Sequence, residues 1–526
     1  MEIKTFSVKE DYWENIEICE DDLELLYSHL LELETPQSPT ELIQVLVNER
    51  IDKEKKIIEE MSSSSNRIYL PEETFETGEN LVFPAMDYKE GVVKKVRDAN
   101  VVHPEQFKVI QVELEGGEIK EFATEYNDHI LNNPPEVKVD PLLEAEHVLE
   151  NYSENVITKL VEELEKNDDF VYIAGRWFPA ALLVDVSVGN LNIAEAILDM
   201  ANGGPLNPEE LLKQVELPTG VNEKLAEFSL DNALQQDPRF DEVGIVGQVS
   251  WFLKRLEPES VQNTPIFLEY DPIDYDRELI DDEMLALEKR LDDELSPLEF
   301  NGEAITEYEV NLIFPHWHSG TLPLTEKLST LFPTAYESPR VRFMLVDGKT
   351  GEKFPAWVVR EQKYVYGLKE WYVENGLIPG SKINLEVGEN PGEIIVSHES
   401  HRSAKEWVRT ALIGADGGVV YAMLKQPVKT SFDDWMVISM PIEIGPLKEV
   451  WEKNIINPPA FEQVVVNTLR ELAKLNPQSH VHVAELYSAL NVVFRCPPGP
   501  IMALLSNRPW FKHLGDLHFR FEDSEE

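Results

Sequence analysis

The chain has 526 residues, 42% of them apolar and 9% aromatic, enough for several packed cores and too many for wholesale disorder. At about 100–200 residues per domain, roughly three to five folded units are expected. Its 98 acidic residues against 47 basic ones leave a net charge of −51, which repels polyanions and makes basic protein surfaces the expected partners.

The two cysteines, Cys19 and Cys496, are too few and too distant for a disulfide framework or a zinc cluster. Met1-Glu2-Ile3-Lys4 runs into acidic residues rather than a basic region and an apolar core, so no secretory leader is expected. The most apolar stretch, 170–188, is interrupted by Arg176, Pro179 and Asp185 and reads as buried strand and helix rather than a membrane span. The expectation is a cytoplasmic protein without membrane contact.

Residues 1–65 read as an acidic helical segment. Thr40 is placed to cap a helix from Glu41, with Leu42, Val45, Leu46 and Ile51 as its apolar stripe, and Ser62-Ser63-Ser64-Ser65 as a joint. From 66 to 132 the apolar period changes to two. Short strands at 80–84, 90–96, 107–114 and 118–122, with Gly116-Gly117 as a hairpin turn, predict a small SH3-like β-barrel.

Residues 141–256 are mostly helical, with two strand pairs. Residues 257–335 read as an acidic linker with a helix near 278–291, since 257–309 holds 18 acidic and 3 basic side chains. Residues 336–402 are strand-rich and predict a β-pseudobarrel, and 403–457 a β-rich extension. In the latter, Gly414-Ala415-Asp416-Gly417-Gly418 is a hairpin turn. It lacks the Lys-Ser/Thr pair of a phosphate loop. Residues 458–526 begin helical and end in strands. The fold class is α+β, multi-domain, with domains joined by acidic linkers.

One pattern recurs. Ala233-Leu234 leads to Asp237-Pro238-Arg239-Phe240, then Val243-Gly244, then a strand through Trp251-Phe252-Leu253. Ala503-Leu504 leads to Asn507-Arg508-Pro509-Trp510-Phe511, then Leu514-Gly515, then 517–521. A looser copy runs from Leu160 through Phe170-Val171-Tyr172-Ile173 to Gly175-Arg176-Trp177. Each copy is a helix, a polar break, a buried aromatic, a tight turn and a short strand, the outline of a winged helix. Two to three such domains are expected.

Gly203-Gly204-Pro205-Leu206 with Glu209-Glu210-Leu211-Leu212, followed by the Ala-Leu, Pro-x-Phe and Trp-Phe-Leu positions, resembles HARE-type winged-helix domains over about 60 residues. That family includes the acidic delta subunit of bacterial RNA polymerase. The resemblance implies a winged-helix fold docked on a basic protein such as RNA polymerase. Lys369-Glu370-Trp371-Tyr372 through Gly380-Ser381 to Lys382-Ile383-Asn384-Leu385 resembles the plant auxin-response type of DNA-binding pseudobarrel, with Leu368 and Ser381 departing from its pattern. That resemblance implies a barrel and contact with double-stranded DNA.

One basic island interrupts the acidity. Between 338 and 383, Arg340, Arg342, Lys349, Lys353, Arg360, Lys363, Lys369 and Lys382 outnumber five carboxylates. Arg495, Arg508, Lys512 and His513 form a second cluster near the C-terminus. Arg340, Arg342, Lys349, Lys353, Arg360, Lys363, Lys369, Arg495, Arg508 and Lys512 are therefore the candidate nucleic-acid-binding residues. The third helices of the first two winged-helix copies carry net negative charge and suit protein contact instead.

Neither catalytic residues nor a cofactor nor a metal is expected. His316-Trp317-His318, placed on a strand, and His480-Val481-His482 lack further ligands, with His398 and His401 the nearest helpers. Asp271, Asp274 and Asp276 lie in the acidic segment, and Cys496 beside Pro497 has no adjacent base. Two functions follow as expectations. The first is a transcription-associated adaptor that docks on protein and contacts DNA through 338–383. The second is an acidic protein-interaction scaffold, or nucleic-acid mimic, that never touches DNA. Burial of the basic island against acidic neighbours separates them.

Overall fold

Apolar residues at helical spacing open the chain as α1 (Glu20–Leu33) and α2 (Pro39–Ser63). The computed structural model describes residues 11–63, 67–86, 89–99, 107–114, 117–127, 129–132, 141–218, 220, 222–336, 338–414, 417–440 and 445–522. Ser64, Ser65, Gly116, Ala415 and Asp416, assigned above to joints and turns, lie outside them. The chain divides into two units, Met1–Asp185 with Pro218–Ser229, and Val186–Leu217 with Leu230–Glu526. Among the described residues no helix is long and apolar enough to cross a membrane.

In the first unit, α2 begins at Pro39 rather than Glu41. Ser38, not Thr40, caps it: the Glu41 N–H donates to Ser38 Oγ at 3.3 Å and Ser38 N–H donates to the Glu41 carboxylate at 2.7 Å. That reciprocal pair needs a spacing of three, which Ser38 has and Thr40 lacks. Five strands follow, β1 (Arg67–Ile68), β2 (Asn80–Phe83), β3 (Lys89–Asp98), β4 (Lys108–Leu114) and β5 (Ile119–Thr124). They form one sheet in that order, with β1 parallel to β2 and the rest antiparallel. Alternation along β4 turns Ile110, Val112 and Leu114 into a core with Tyr69, Phe75 and Phe83.

After the sheet come α3 (Ala145–Leu164) and the hairpin β6 (Phe170–Ile173) and β7 (Arg176–Pro179). α1, α2, α3 and this hairpin share one core, containing Leu26, Leu46, Val156, Leu160 and Trp177. Gln37, between α1 and α2, pairs with Trp177 of β7. The described residues 11–63 are therefore part of this core. They supply the first two helices of a repeat whose third helix follows the inserted five-stranded sheet.

The second unit repeats this order. α4 (Val188–Met200) and α5 (Pro208–Leu212) are capped by Ser187 and Asn207, and α6 (Glu223–Gln236) leads to β8 (Phe240–Glu242) and β9 (Trp251–Leu253). The expected strand through Trp251-Phe252-Leu253 is β9. Leu206, between α4 and α5, pairs with Trp251. The division between units passes through α6, with Leu225 and Phe228 in the first unit's core and Leu230 and Leu234 in the second's.

The expected acidic linker is folded. α7 (Glu259–Gln262) and α8 (Asp282–Leu291) bracket buried Phe267 and Ile280, and α8 buries Met284 and Leu287. Apolar side chains every third or fourth position carry this segment into a core despite its charge.

A seven-stranded, nearly closed sheet follows. Its elements are β10 (Glu307–Asn311), α9 (Phe314–Ser319), β11 (Thr321–Pro323), α10 (Glu326–Ser329), β12 (Arg340–Asp347), β13 (Lys353–Val359), β14 (Tyr364–Tyr366), α11 (Lys369–Asn375), β15 (Lys382–Val387) and β16 (Glu393–Ser397). The strand order is β10-β15-β16-β12-β13-β14-β11, with β12 parallel to β16. Its two edge strands precede residue 336, where the sequence pattern put the start of the domain. They are three to five residues long, too short for alternation to announce them.

The long hairpin β17 (Ser400–Ile413) and β18 (Val419–Thr430) and the helix α12 (Gly445–Ile456) come next. Then α13 (Phe461–Ala473), β19 (Val481–His482), α14 (Val483–Val493), α15 (Pro498–Asn507), β20 (Phe511–His513) and β21 (His518–Phe521) give the order a third time. Here too the short strand after the first helix pairs with the last strand, in the sheet β19-β21-β20.

Candidate functional site

The densest chemistry in the second unit is a buried charge network, and the sequence read its parts as linker and nucleic-acid contact. Asp293 and Glu294 follow α8, and both are buried. Arg495 follows α14 and is 1% exposed. Its guanidinium donates to Asp293 at 2.8 and 2.9 Å and to Glu294 at 2.6 Å. Tyr487 Oη donates to Asp293 at 2.5 Å, and His316 lies 3.2 Å from Glu294 and 2.8 Å from Thr321 Oγ1. Burial alone would raise the Glu294 pKa, but Arg495 and His316 outweigh it and hold the carboxyl well below the usual range. A planar guanidinium is suited to this double acceptance.

Arg495 therefore cannot reach a phosphate. The other candidate residues differ in how far they are engaged within the fold. Arg340 is paired with Asp241 at 3.0 Å and Glu257 at 3.2 Å. Arg342 lies 5.9 Å from the Phe252 ring, and its backbone N–H donates to Val243 O. Both face the β8–β9 hairpin, which packs on the barrel through Phe252 against Trp357. Lys353 pairs with Glu393, Lys382 with Glu309, Arg508 with Glu462 and Lys512 with Glu522. Lys369 donates to His318 O and sits over Trp317. Lys349 is exposed in the β12–β13 turn. Arg360 and Lys363 are brought together at one cleft.

The third helix of each repeat tells the same story. α3 exposes Glu146, Glu150, Glu154 and Glu162. α6 exposes Glu223 and uses buried Asp231 to accept the Trp251 Nε1 proton at 2.7 Å. α15 carries no charged residue and buries Pro498, Gly499, Pro500, Ile501, Met502, Ala503 and Leu505. It packs on α8 and on the turn at Arg277–Leu279, so closely that a Cβ at Gly499 would lie 2.4 Å from Tyr275 Oη.

His316 and His318 lie on the short helix α9, not on a strand, because Pro315 at its first turn and Gly320 at its end suit a helix. His316 belongs to the buried network, while burial pushes His318, packed on Phe267, down to about 4. His482 stacks on Trp435. His398 accepts or donates with Asn375, and the side chain of His401 lies outside the described residues. Among the described residues no group of three or more His, Cys, Asp or Glu has the geometry to hold a metal. Asp271, Asp274 and Asp276 are exposed, and burial raises the Cys496 pKa. No family model, curated protein or solved structure matches the chain.

Two outcomes follow from the charge networks. Arg495→Leu takes the guanidinium away from buried Asp293 and Glu294 and is expected to cost about 3–5 kcal/mol in urea unfolding; a loss under about 1 kcal/mol contradicts the network. Because the folded Glu294 pKa is depressed, its contribution is present above about pH 4.3 and is lost as pH falls below it.

Glu257 has the opposite sign. Burial and the Asp241 charge push its carboxyl well above the usual range against the pull of Arg340. Its stabilising contribution is complete below about pH 4.3 and declines as pH rises toward the folded pKa. Glu257→Gln is expected to remove that decline, so that the melting temperature near neutral pH matches or exceeds that of the unaltered chain. An unchanged slope contradicts the assignment.

Proposed function

We propose that this protein is a non-catalytic, acidic protein-interaction scaffold. Its three repeats are winged-helix domains, the 67–132 sheet is a small SH3-like barrel, and the seven-stranded sheet is a pseudobarrel that serves as a structural hub. The order helix, bridging residue, helix, helix, hairpin, with the bridging residue paired to the last strand, supports the winged-helix reading in all three places.

The observation that carries the function is the state of the three third helices. Reading a duplex requires a helix face free to enter the major groove and not repelled by phosphate. α3 presents carboxylates, α6 exposes Glu223 beside Lys224 and buries Asp231, and α15 is buried. Arg340 of the basic island supports the same reading, since Asp241 and Glu257 hold its guanidinium within the fold. The acidic faces suit a basic protein surface, and RNA polymerase is one such partner in keeping with the HARE-type resemblance. The competing reading, an adaptor that contacts DNA through 338–383, rests on the exposed Lys349 and Lys363.

Fluorescence anisotropy of labelled duplex DNA with the full chain tests this. No binding is expected even near 50 mM salt. Binding that weakens steeply toward about 200 mM, and that Lys349→Gln with Lys363→Gln abolishes, would favour the adaptor.

A further inference from the structure

Arg360 is anomalous. In a chain with 98 acidic side chains, a half-buried guanidinium would be expected to have a carboxylate beside it. Arg340 and Arg495 do. Among the described residues Arg360 has none within ion-pair distance. Its Nε is buried without a hydrogen-bond partner, and its Nη2 reaches only the Pro333 carbonyl, at 3.4 Å. Burial lowers its pKa, the sign expected of a cation whose counter-charge is missing.

The surroundings explain what the missing partner looks like. Arg360 directly follows β13, and Lys363 lies in the turn to β14 with φ of 56°. The turn is fixed on both sides: Lys363 N–H donates to Arg360 O at 3.1 Å, and Leu324 N–H donates to Lys363 O at 2.9 Å. Both cations line an open cleft of about 240 Å³ beside α10. Phe332, Pro333 and Val358 give that cleft an apolar wall, and Glu326 adds one carboxylate. Lys363 is exposed and, among the described residues, has no ion pair.

We infer that this cleft binds a small organic carboxylate, held by the Arg360 guanidinium and the Lys363 ammonium, with its apolar body against Phe332, Pro333 and Val358. A planar carboxylate matches the guanidinium edge, and the apolar wall selects for a hydrocarbon body that inorganic phosphate lacks. Glu326 leaves the site with a single net positive charge, which fits a monoanion and disfavours a polyphosphate backbone.

Isothermal titration of the full chain with benzoate and with hexanoate tests the site, with benzyl alcohol and inorganic phosphate as controls. One-to-one binding of a carboxylate is expected, and neither control should bind. Arg360→Met should abolish binding. Because it removes an unpaired half-buried charge, it should also melt no lower than the unaltered chain. Lys363→Gln alters an exposed side chain, so the fold is retained, and it should weaken binding about tenfold or more. The proposal is overturned if neither carboxylate binds at millimolar concentration, if benzyl alcohol or phosphate binds as well, or if Lys363→Gln binds as tightly as the unaltered chain.

Discussion

The second unit is organised by the burial of one cation. Arg495 is fully enclosed, and a guanidinium removed from water is tolerated only where carboxylates and hydrogen bonds replace its hydration. Asp293 and Glu294 supply that replacement from about 200 residues upstream. Once they are drawn in, α8 must lie against the C-terminal helices, and Met284 and Leu287 enter the same core as Ile501 and Met502. The covering of α15 follows from this, and with it the loss of the face that a DNA-reading helix would need. The charge network and the proposed function are therefore one constraint seen at two levels.

The high net charge changes what each basic residue means. With acids outnumbering bases about two to one, a basic side chain is more often a partner for a carboxylate of its own chain than a contact for a phosphate. Arg340, Lys353, Lys382 and Arg508 are occupied in this way. The exceptions then carry information, and Arg360 is the clearest because it is both half-buried and unmatched.

Much of the local structure was legible in the sequence. Period-two alternation placed β2 and β4 close to their observed bounds. Those signals are carried by neighbouring residues. The rest depended on pairings between distant residues, which leave no local trace. Gln37 pairs with Trp177 across an inserted sheet, so the first repeat looked like an isolated helical segment followed by a barrel. Asp293 and Glu294 looked solvated because their neighbours are acidic, although apolar Met284 and Leu287 marked a buried helix face. Arg360 and Lys363 were singled out for their charge. What the sequence could not show was that a tight turn would present both at one apolar cleft.

Amide hydrogen exchange of the full chain, read by mass spectrometry, tests the central claim most directly. Buried, hydrogen-bonded segments open only with the core that holds them. Residues 282–294 are expected to be protected as strongly as α14 and α15, and all three to lose protection together in Arg495→Leu. Rapid exchange of 282–294 in the unaltered chain, with α14 and α15 still protected, would contradict it: the acidic segment would be a solvated linker, and α15 would be free to meet a partner.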